Sequence, residues 1–489
     1  MALLTVFLAV AFSPLFTCSP LPLADYPNHL ARMYIISSFD NSPPLQRYYE
    51  IHWHLIPNLA LDIIVPKLAH FMSVERAMLI FTALTLVLLV VGCFALHRVL
   101  FGGLSYAPFS CFLLLYNRQF LWGMLNYLFS VGLALVTFAL WVATRQKSLG
   151  IRCVILVMFA MAVFISHLGG FGILGILIFG YEVNSFAQEK DYRALRNAVI
   201  AAITALGLPL LLFVLFSPTR HRVTPFEPWE LKNRLIGLVD AFNNYAIALD
   251  AATFLLAMAA IGLGLLLRKA HLHPRMYVAL VSLSLLYWVI NSQLLGSQGV
   301  ARRLIPALFL ILACSLEWNV PKRYFLAVIA LAFLVRTVVV VQNWSSASSV
   351  FGENLAVIDQ IPRGAKVAAA VGELNFPQLN NPPLGHFPNM AVVRRQVLIN
   401  SLFAYDGLQP LGVKPEYQSL VPAGVYSQLY EVDVSKAPLT ATANPFERIP
   451  LGGYDFLLMV NRQYFRYPVP RMLRPVQSSA NTVLYQVIH

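Results

Sequence analysis

The sequence is short of charge: Asp, Glu, Lys and Arg make up 12% of its 489 residues, against 58% hydrophobic residues and a mean hydropathy of +0.67. A soluble globular chain carries about 25% charged and roughly 45–50% apolar residues, so that class is excluded and the chain reads as a polytopic membrane protein. Cysteine is scarce as well. Cys18, Cys93, Cys111, Cys153 and Cys314 fall mostly inside apolar runs and form no CxxC pair, which excludes a disulfide framework and a zinc ribbon. No long basic block accounts for the net charge of +13. Lys and Arg stand singly between apolar runs, a pattern of membrane-topology signals and not of a nucleic-acid surface. Internal repeats and long low-complexity tracts are also missing, so neither a solenoid nor an inverted-repeat transporter is indicated.

What is present is a succession of apolar runs. Ala2–Phe16 has no basic flank ahead of it and no small-residue cleavage box after it, and is expected to be a retained first helix. Further runs follow over Ala77–Leu96, Leu104–Tyr116, Phe120–Thr144, Cys153–Ser166, Phe171–Val183, Asn197–Phe216, Ala251–Leu267, Met276–Leu294, Leu304–Glu317 and Tyr324–Val341. Together they predict about eleven spans, several shorter than the roughly twenty residues of a straight crossing. With a cytoplasmic N-terminus, the inner loops hold Arg98, Arg145, Lys147, Arg152, Lys190, Arg193, Arg196, Arg268, Lys269, Arg275, Lys322 and Arg323. The short outer loops hold little beyond Arg118, Arg302 and Arg303. This asymmetry satisfies the positive-inside rule and sends the C-terminus out of the cytoplasm. The expected fold is an α-helical polytopic membrane domain over 1–342, whose outer loop 19–76 carries interfacial helices, and a small extracytoplasmic α/β domain over 343–489. Pro and Gly turn signals and short β-rich runs such as Lys366–Val371, Tyr454–Val460 and Asn481–Ile488 support the second domain, which needs the outer loops as a packing surface.

Candidate functional residues gather at the expected outer face. In Pro22-Leu-Ala-Asp25-Tyr-Pro27-Asn28-His29 the carboxylate of Asp25 either caps the helix beginning near Pro27 or does chemistry at headgroup level. His29, one turn on, either orients a sugar or Asp25, or is an interfacial histidine. Glu50, His52 and His54 alternate along an extended segment, as metal ligands or as sugar contacts with Trp53. His167 ends an apolar helix beside Gly169 and Gly170, either bonding within the bundle or lining a cavity. Arg302 and Arg303 open a span where they would grip a phosphate or anchor the helix to anionic headgroups. The cluster Arg220-His221-Arg222 reads as a solvated or lipid-binding loop, and the aromatic stretch Phe120–Tyr127 as a lipid groove or as helix packing.

Four stretches carry a family resemblance: Asp25-Tyr-Pro-Asn-His29; Asn58-Leu-Ala-Leu-Asp-Ile-Ile-Val-Pro66 followed by Ser73-Val-Glu75-Arg76; Ser166-His167-Leu-Gly-Gly170; and Ala301-Arg302-Arg303-Leu. With a short N-terminal helix, a large first outer loop and an outer C-terminal domain, the chain resembles the GT-C superfamily of polytopic glycosyltransferases. The resemblance implies a polyprenyl-phosphate-linked sugar as donor, a cell-envelope lipid, glycan or protein as acceptor, and no nucleic acid. It implies Asp25 as general base, with His29, Glu50, His167, Arg302 and Arg303 binding substrate. It also implies a bacterial inner membrane, with the C-terminal domain periplasmic or extracellular. Many members hold a divalent cation, Mg or Mn, between two adjacent acids. Here Asp25 has no acidic neighbour before Asp40 and Glu50, so the metal stays open. The alternatives are a transporter or flippase for a lipid-linked intermediate and a non-catalytic scaffold of the same fold. Ionisable groups are few inside the spans, which favours interfacial catalysis over transport.

Overall fold

The computed structural model describes residues 2–225, 230–373, 383–404, 407–421, 429–432, 446, 449–465 and 468–489. The first apolar run forms α1 (Ala2–Phe12), prolonged by a 3-10 turn over Ser13–Phe16. The first loop contains α2 (Tyr26–Ser38), α3 (Pro43–Tyr48), β1 (Tyr49–Ile51) and α4 (Ala60–Ala69). Pro27 lies in the first turn of α2, where its missing N–H has no helical partner to lose.

The bundle continues with α5 (Val74–Phe101), 3-10 turns over Ala107–Leu114, α6 (Arg118–Leu121), α7 (Leu125–Ala143), α8 (Leu149–Ser166), α9 (Leu168–Glu189) and α10 (Tyr192–Phe216). The second long loop holds α11 (Leu231–Val239). After it come α12 (Ile247–Leu266), β2 (Ala270–Leu272), α13 (Tyr277–Val289), α14 (Val300–Ser315), β3 (Leu316–Trp318) and α15 (Lys322–Ile358). Among the described residues, 7 helices are long and apolar enough to cross a membrane: α5, α7, α8, α9, α10, α12 and α15. The other apolar runs fold as the shorter α1, α13 and α14 and as the 3-10 stretch, whose rise of about 2.0 Å per residue lets few residues reach far. The protein is an integral, multi-pass membrane protein.

Small residues set the centre of the bundle. A Cβ on Gly92 of α5 would lie 2.8 Å from the Gly132 carbonyl oxygen of α7, so the two backbones touch where larger side chains would hold them apart. By contrast, only 17% of the apolar stretch of α10 and 11% of that of α12 are buried in the protein, which leaves Leu, Ile and Val faces for lipid.

The 37 residues of α15 reach about 55 Å at 1.5 Å per residue, well beyond a hydrocarbon core about 30 Å thick. The boundary expected after Gln342 therefore falls in mid-helix. Toward its far end α15 packs buried Trp344 against Tyr116 and Tyr245, and buried Phe351 against Phe387 of the second domain.

That domain contains β4 (Lys366–Glu373), α16 (Met390–Arg395), β5 (Leu398–Ile399), β6 (Leu411–Val413), β7 (Leu429–Val432), β8 (Phe456–Val460), β9 (Leu473–Ser478) and β10 (Thr482–Val487). Its 6-stranded sheet has the order β5-β4-β8-β10-β9, with β7 also on β4. β4 runs parallel to β5, β7 and β8, while β10 is antiparallel to β8 and β9.

This domain packs on the two long loops of the bundle. β1 of the first loop pairs antiparallel with β6, Tyr49 opposite Val413. The Thr219 hydroxyl of the second loop donates to the Gly407 carbonyl at 2.8 Å. At the other end of the bundle, Arg145 and Arg275 converge on Glu189 at 2.8 and 2.5 Å, and β2 pairs with β3. The long loops and the second domain thus share one face, and the basic short loops share the other.

Candidate functional site

Asp25 stands at the N-terminus of α2 but makes no capping hydrogen bond with its side chain. Its backbone N–H donates to the Trp122 carbonyl at 3.0 Å, and the Ala24 N–H to Leu121 at 3.0 Å. The turn beneath it closes through Gly123 at φ 85°, a left-handed conformation that a side chain resists. His29 Nε2 donates to the Gly123 carbonyl at 3.1 Å. Burial, reinforced by the charge of Arg32, pulls the His29 pKa down to about 4, so the ring is neutral and fastens the turn. The stretch after Phe120, expected as a groove or as packing, supplies the floor under Asp25. The carboxylate, 18% exposed, faces His386 of the second domain, with Oδ1 3.2 Å from the imidazole Nε2.

A second group of residues surrounds the α8–α9 turn. His167 Nδ1 accepts from the Gly169 N–H at 2.9 Å, and the ring stands edge-on to Tyr127 with centroids 5.4 Å apart. Burial first, then the charge of Arg303, lowers the His167 pKa to about 3. The neutral ring therefore carries its proton on Nε2, which lies 3.4 Å from Arg303 Nη1. Two donors from different helices point into one space. Arg303 is braced by its own backbone surroundings: Nη2 donates to the Gln298 carbonyl at 2.7 Å, and its carbonyl accepts from the Tyr127 hydroxyl. The Arg303 Nε is buried without a hydrogen-bond partner.

These groups close one end of a cavity of about 410 Å³, within the usual range for small-molecule sites. Its polar end holds Asn58, Tyr127, His167, Ser297 and Arg303, and its body is apolar, from Phe171 and Ile176 of α9 to Leu210 of α10 and Leu286 of α13. Residues 57–59 lie across the turn: Leu59 N–H donates to Ile165, and Leu168 N–H to Pro57. Asn126 fixes them from below, donating to the Asn58 carbonyl at 2.8 Å and accepting from the Leu61 N–H at 2.8 Å. Arg303 feels the charge of Asp25, but the carboxylate does not itself line the cavity.

Other expected site residues are placed elsewhere. Arg302 turns away from Arg303 to the second loop, its Nε 3.8 Å from Asp240 Oδ2. Asp240 is also 3.8 Å from Arg118 Nε. Burial pushes the Asp240 carboxyl up, and the two guanidiniums only partly oppose this. Glu50 lies in β1, its carboxylate 3.3 Å from His52 Nε2, and it neither lines the cavity nor pairs with Asp25. His52, Trp53 and His54 are exposed, and Arg220 donates to His221 at the surface. Among the described residues, no group of three His, Cys, Asp or Glu side chains converges as a metal site.

The sequence matches no family model and no curated protein sequence. The structure of ArnT from Cupriavidus metallidurans bound to undecaprenyl phosphate superposes with a TM-score of 0.56 at 12% identity, over 99% of this chain and 98% of that one. The chain has the fold of that structure. The mycobacterial arabinofuranosyltransferase AftD gives a TM-score of 0.43 at 14% identity, over 100% of this chain and 42% of that one. The sequence reading missed His386, Asn28 and the Arg32–Asp62 pair. His386 is 361 residues from Asp25 in the chain, and a lone His carries no periodic or motif signal. Arg32 and Asp62, bidentate at 2.7 and 3.2 Å and fully buried, had a visible cue: each is a charge within an otherwise apolar helical stripe.

Proposed function

We propose that this protein transfers a sugar from a polyprenyl-phosphate carrier to an acceptor hydroxyl at the membrane surface. The observation that carries the reading is an apolar cavity among α9, α10, α13 and α14, closed at its polar end by Arg303 and His167. A lipid tail fits the body of such a cavity, and a phosphate fits the converging donors of Arg303 and His167. The ArnT structure of the same fold holds undecaprenyl phosphate, which supports that class of donor.

In this reaction Asp25 takes the proton of the acceptor hydroxyl as general base. The acceptor oxygen bonds to the anomeric carbon as the bond from that carbon to the phosphate oxygen breaks, giving inversion. The electron pair leaves on the lipid phosphate, and Arg303 with the His167 Nε2–H stabilises the developing charge. Neutral His167 acts here as a donor, since burial keeps its pKa near 3. Among the described residues, those around Asp25 do not fit a resident divalent cation: its carboxylate faces an imidazole, and no three His, Cys, Asp or Glu side chains converge there. The site face is assigned to the outside of the cytoplasmic membrane, because the basic short loops lie at the opposite end of the bundle.

The test is to incubate the purified protein in lipid nanodiscs with polyprenyl-phosphate sugars and to measure the lipid phosphate released. Asp25→Asn is expected to lower turnover by about 10²–10⁴-fold. Undiminished turnover in that variant removes Asp25 as the base.

A further inference from the structure

The reaction above uses only Asp25 as base, yet the carboxylate is not alone. We propose that His386, brought in by the second domain, is the positioning residue of that base, so that the membrane domain and the soluble domain form one catalytic unit. The proposal rests on the reading of Asp25 as base and adds its partner.

The contact is held by a separate latch. Asn28, fully buried, lies one turn after Asp25 on α2. Its Oδ1 accepts from the Phe403 N–H at 2.8 Å, and its Nδ2 donates to the Ser401 carbonyl at 3.0 Å. Ser401 Oγ in turn donates to Asn389 Oδ1 at 2.8 Å. Asn389 and Ser401 are also fully buried, and a satisfied buried polar network of this kind fixes one arrangement. It fastens the stretch that follows His386 to the helix that carries Asp25. Phe403 packs edge-on against the imidazole with centroids 4.9 Å apart, and Asn28 Nδ2 lies 3.5 Å from His386 Nδ1.

The latch docks the domain by Asn28, Asn389 and Ser401, without needing the imidazole. His386 is 14% exposed and Asp25 18%, so the pair is partly open to solvent. The imidazole meets the latch at Nδ1, where Asn28 donates, and has its Nε2 on the carboxylate.

The role follows from the geometry. The Nε2–H donates to Oδ1, which orients the carboxylate and leaves Oδ2 for the acceptor hydroxyl. During transfer the acceptor O–H proton passes to Oδ2, while the imidazole keeps its own proton. Among the described residues, the other charged or titratable groups that act on the pair are His29 of α2, neutral above about pH 4, and Arg303 of α14.

The test compares His386→Phe and His386→Gln with the parent and with Asp25→Asn, reading lipid-phosphate release. His386→Phe is expected to lower kcat by about 10–100-fold, the usual cost of losing an orienting partner, with the KM for the lipid-linked sugar unchanged. Glutamine offers an N–H to Oδ1 and should recover most of kcat. If His386→Phe does not accumulate as folded protein, His386→Ala with added imidazole takes its place, and rescue of turnover is expected. A parent-like kcat in His386→Phe, or no rescue of His386→Ala, overturns the proposal. If those results accompany an inactive Asp25→Asn, the base reading stands and only the role of His386 is lost; full activity in Asp25→Asn overturns both.

Discussion

Arg302 and Arg303 are consecutive on α14 yet point to different parts of the molecule. Arg302 Nε lies 3.8 Å from buried Asp240, whereas Arg303 lines the cavity with Nη1 3.4 Å from His167 Nε2. Successive side chains on a helix diverge by about 100°, so one basic pair serves two purposes.

Replacement of each should separate these purposes. Arg303→Ala is expected to lower turnover by about 10²–10³-fold, the range for removing a donor to developing charge. Arg302→Ala should leave turnover per folded molecule near the parent's and lower the melting temperature instead, because Asp240 loses one of its two cations inside the protein. Lipid-phosphate release and thermal unfolding in the same nanodiscs check both.

Gly123→Ala tests how closely the floor beneath Asp25 is fitted. A Cβ there would lie 3.2 Å from Asp25 Cβ and from its backbone nitrogen, at φ 85°. The expected outcome is a folded protein with turnover lower by about 10²-fold, as for a catalytic group displaced by an ångström. Parent-like kinetics would mean that the turn does not position the carboxylate.

The Arg32–Asp62 pair joins α2 to α4 with no exposure on either side chain. Asp62→Asn leaves an uncompensated buried cation and should destabilise the protein by about 3–5 kcal/mol. Arg32→Met combined with Asp62→Leu should recover most of this, because a well-packed apolar pair of similar volume is often neutral or better. Denaturation midpoints of the single and double variants decide the matter.

Acid should loosen the site through its histidines. The folded pKa values of His29 and His167 are about 4 and about 3, against an ordinary value of 6.5. Below pH 6.5 the unfolded chain binds protons that the folded chain refuses, so stability falls as pH drops to about 4 for His29 and about 3 for His167, and is flat above 6.5. Melting temperatures measured from pH 8 to pH 4 should decline on the acid side. His29→Gln should flatten part of that decline, and an unchanged slope would show that its ring does not refuse the proton.

The fold was largely legible in the sequence. Runs of apolar residues marked the bundle, single Lys and Arg marked its two ends, and Pro27 marked the start of α2. Regions of shorter or irregular structure were less so: Leu104–Tyr116 became 3-10 turns, and α15 passed through the domain boundary because apolar and amphipathic turns follow each other without a break. The site was legible in part. Asp25, His167 and Arg303 stood out as polar groups at the ends of apolar segments. Glu50 and Arg302 stood out for the same reason but were placed elsewhere.

The sequence by itself determined the solvent of each segment, because hydropathy and charge act locally and leave a pattern in consecutive residues. It determined that Asp25 follows the first apolar helix and that a second domain packs on the long loops. Tertiary structure alone decided that His386 meets Asp25, that Arg303 and not Arg302 reaches the cavity, and that Asn126 fixes Asn58 beside His167. Such meetings depend on helix rotation and on close packing across hundreds of residues, and neither leaves a periodic mark in the chain.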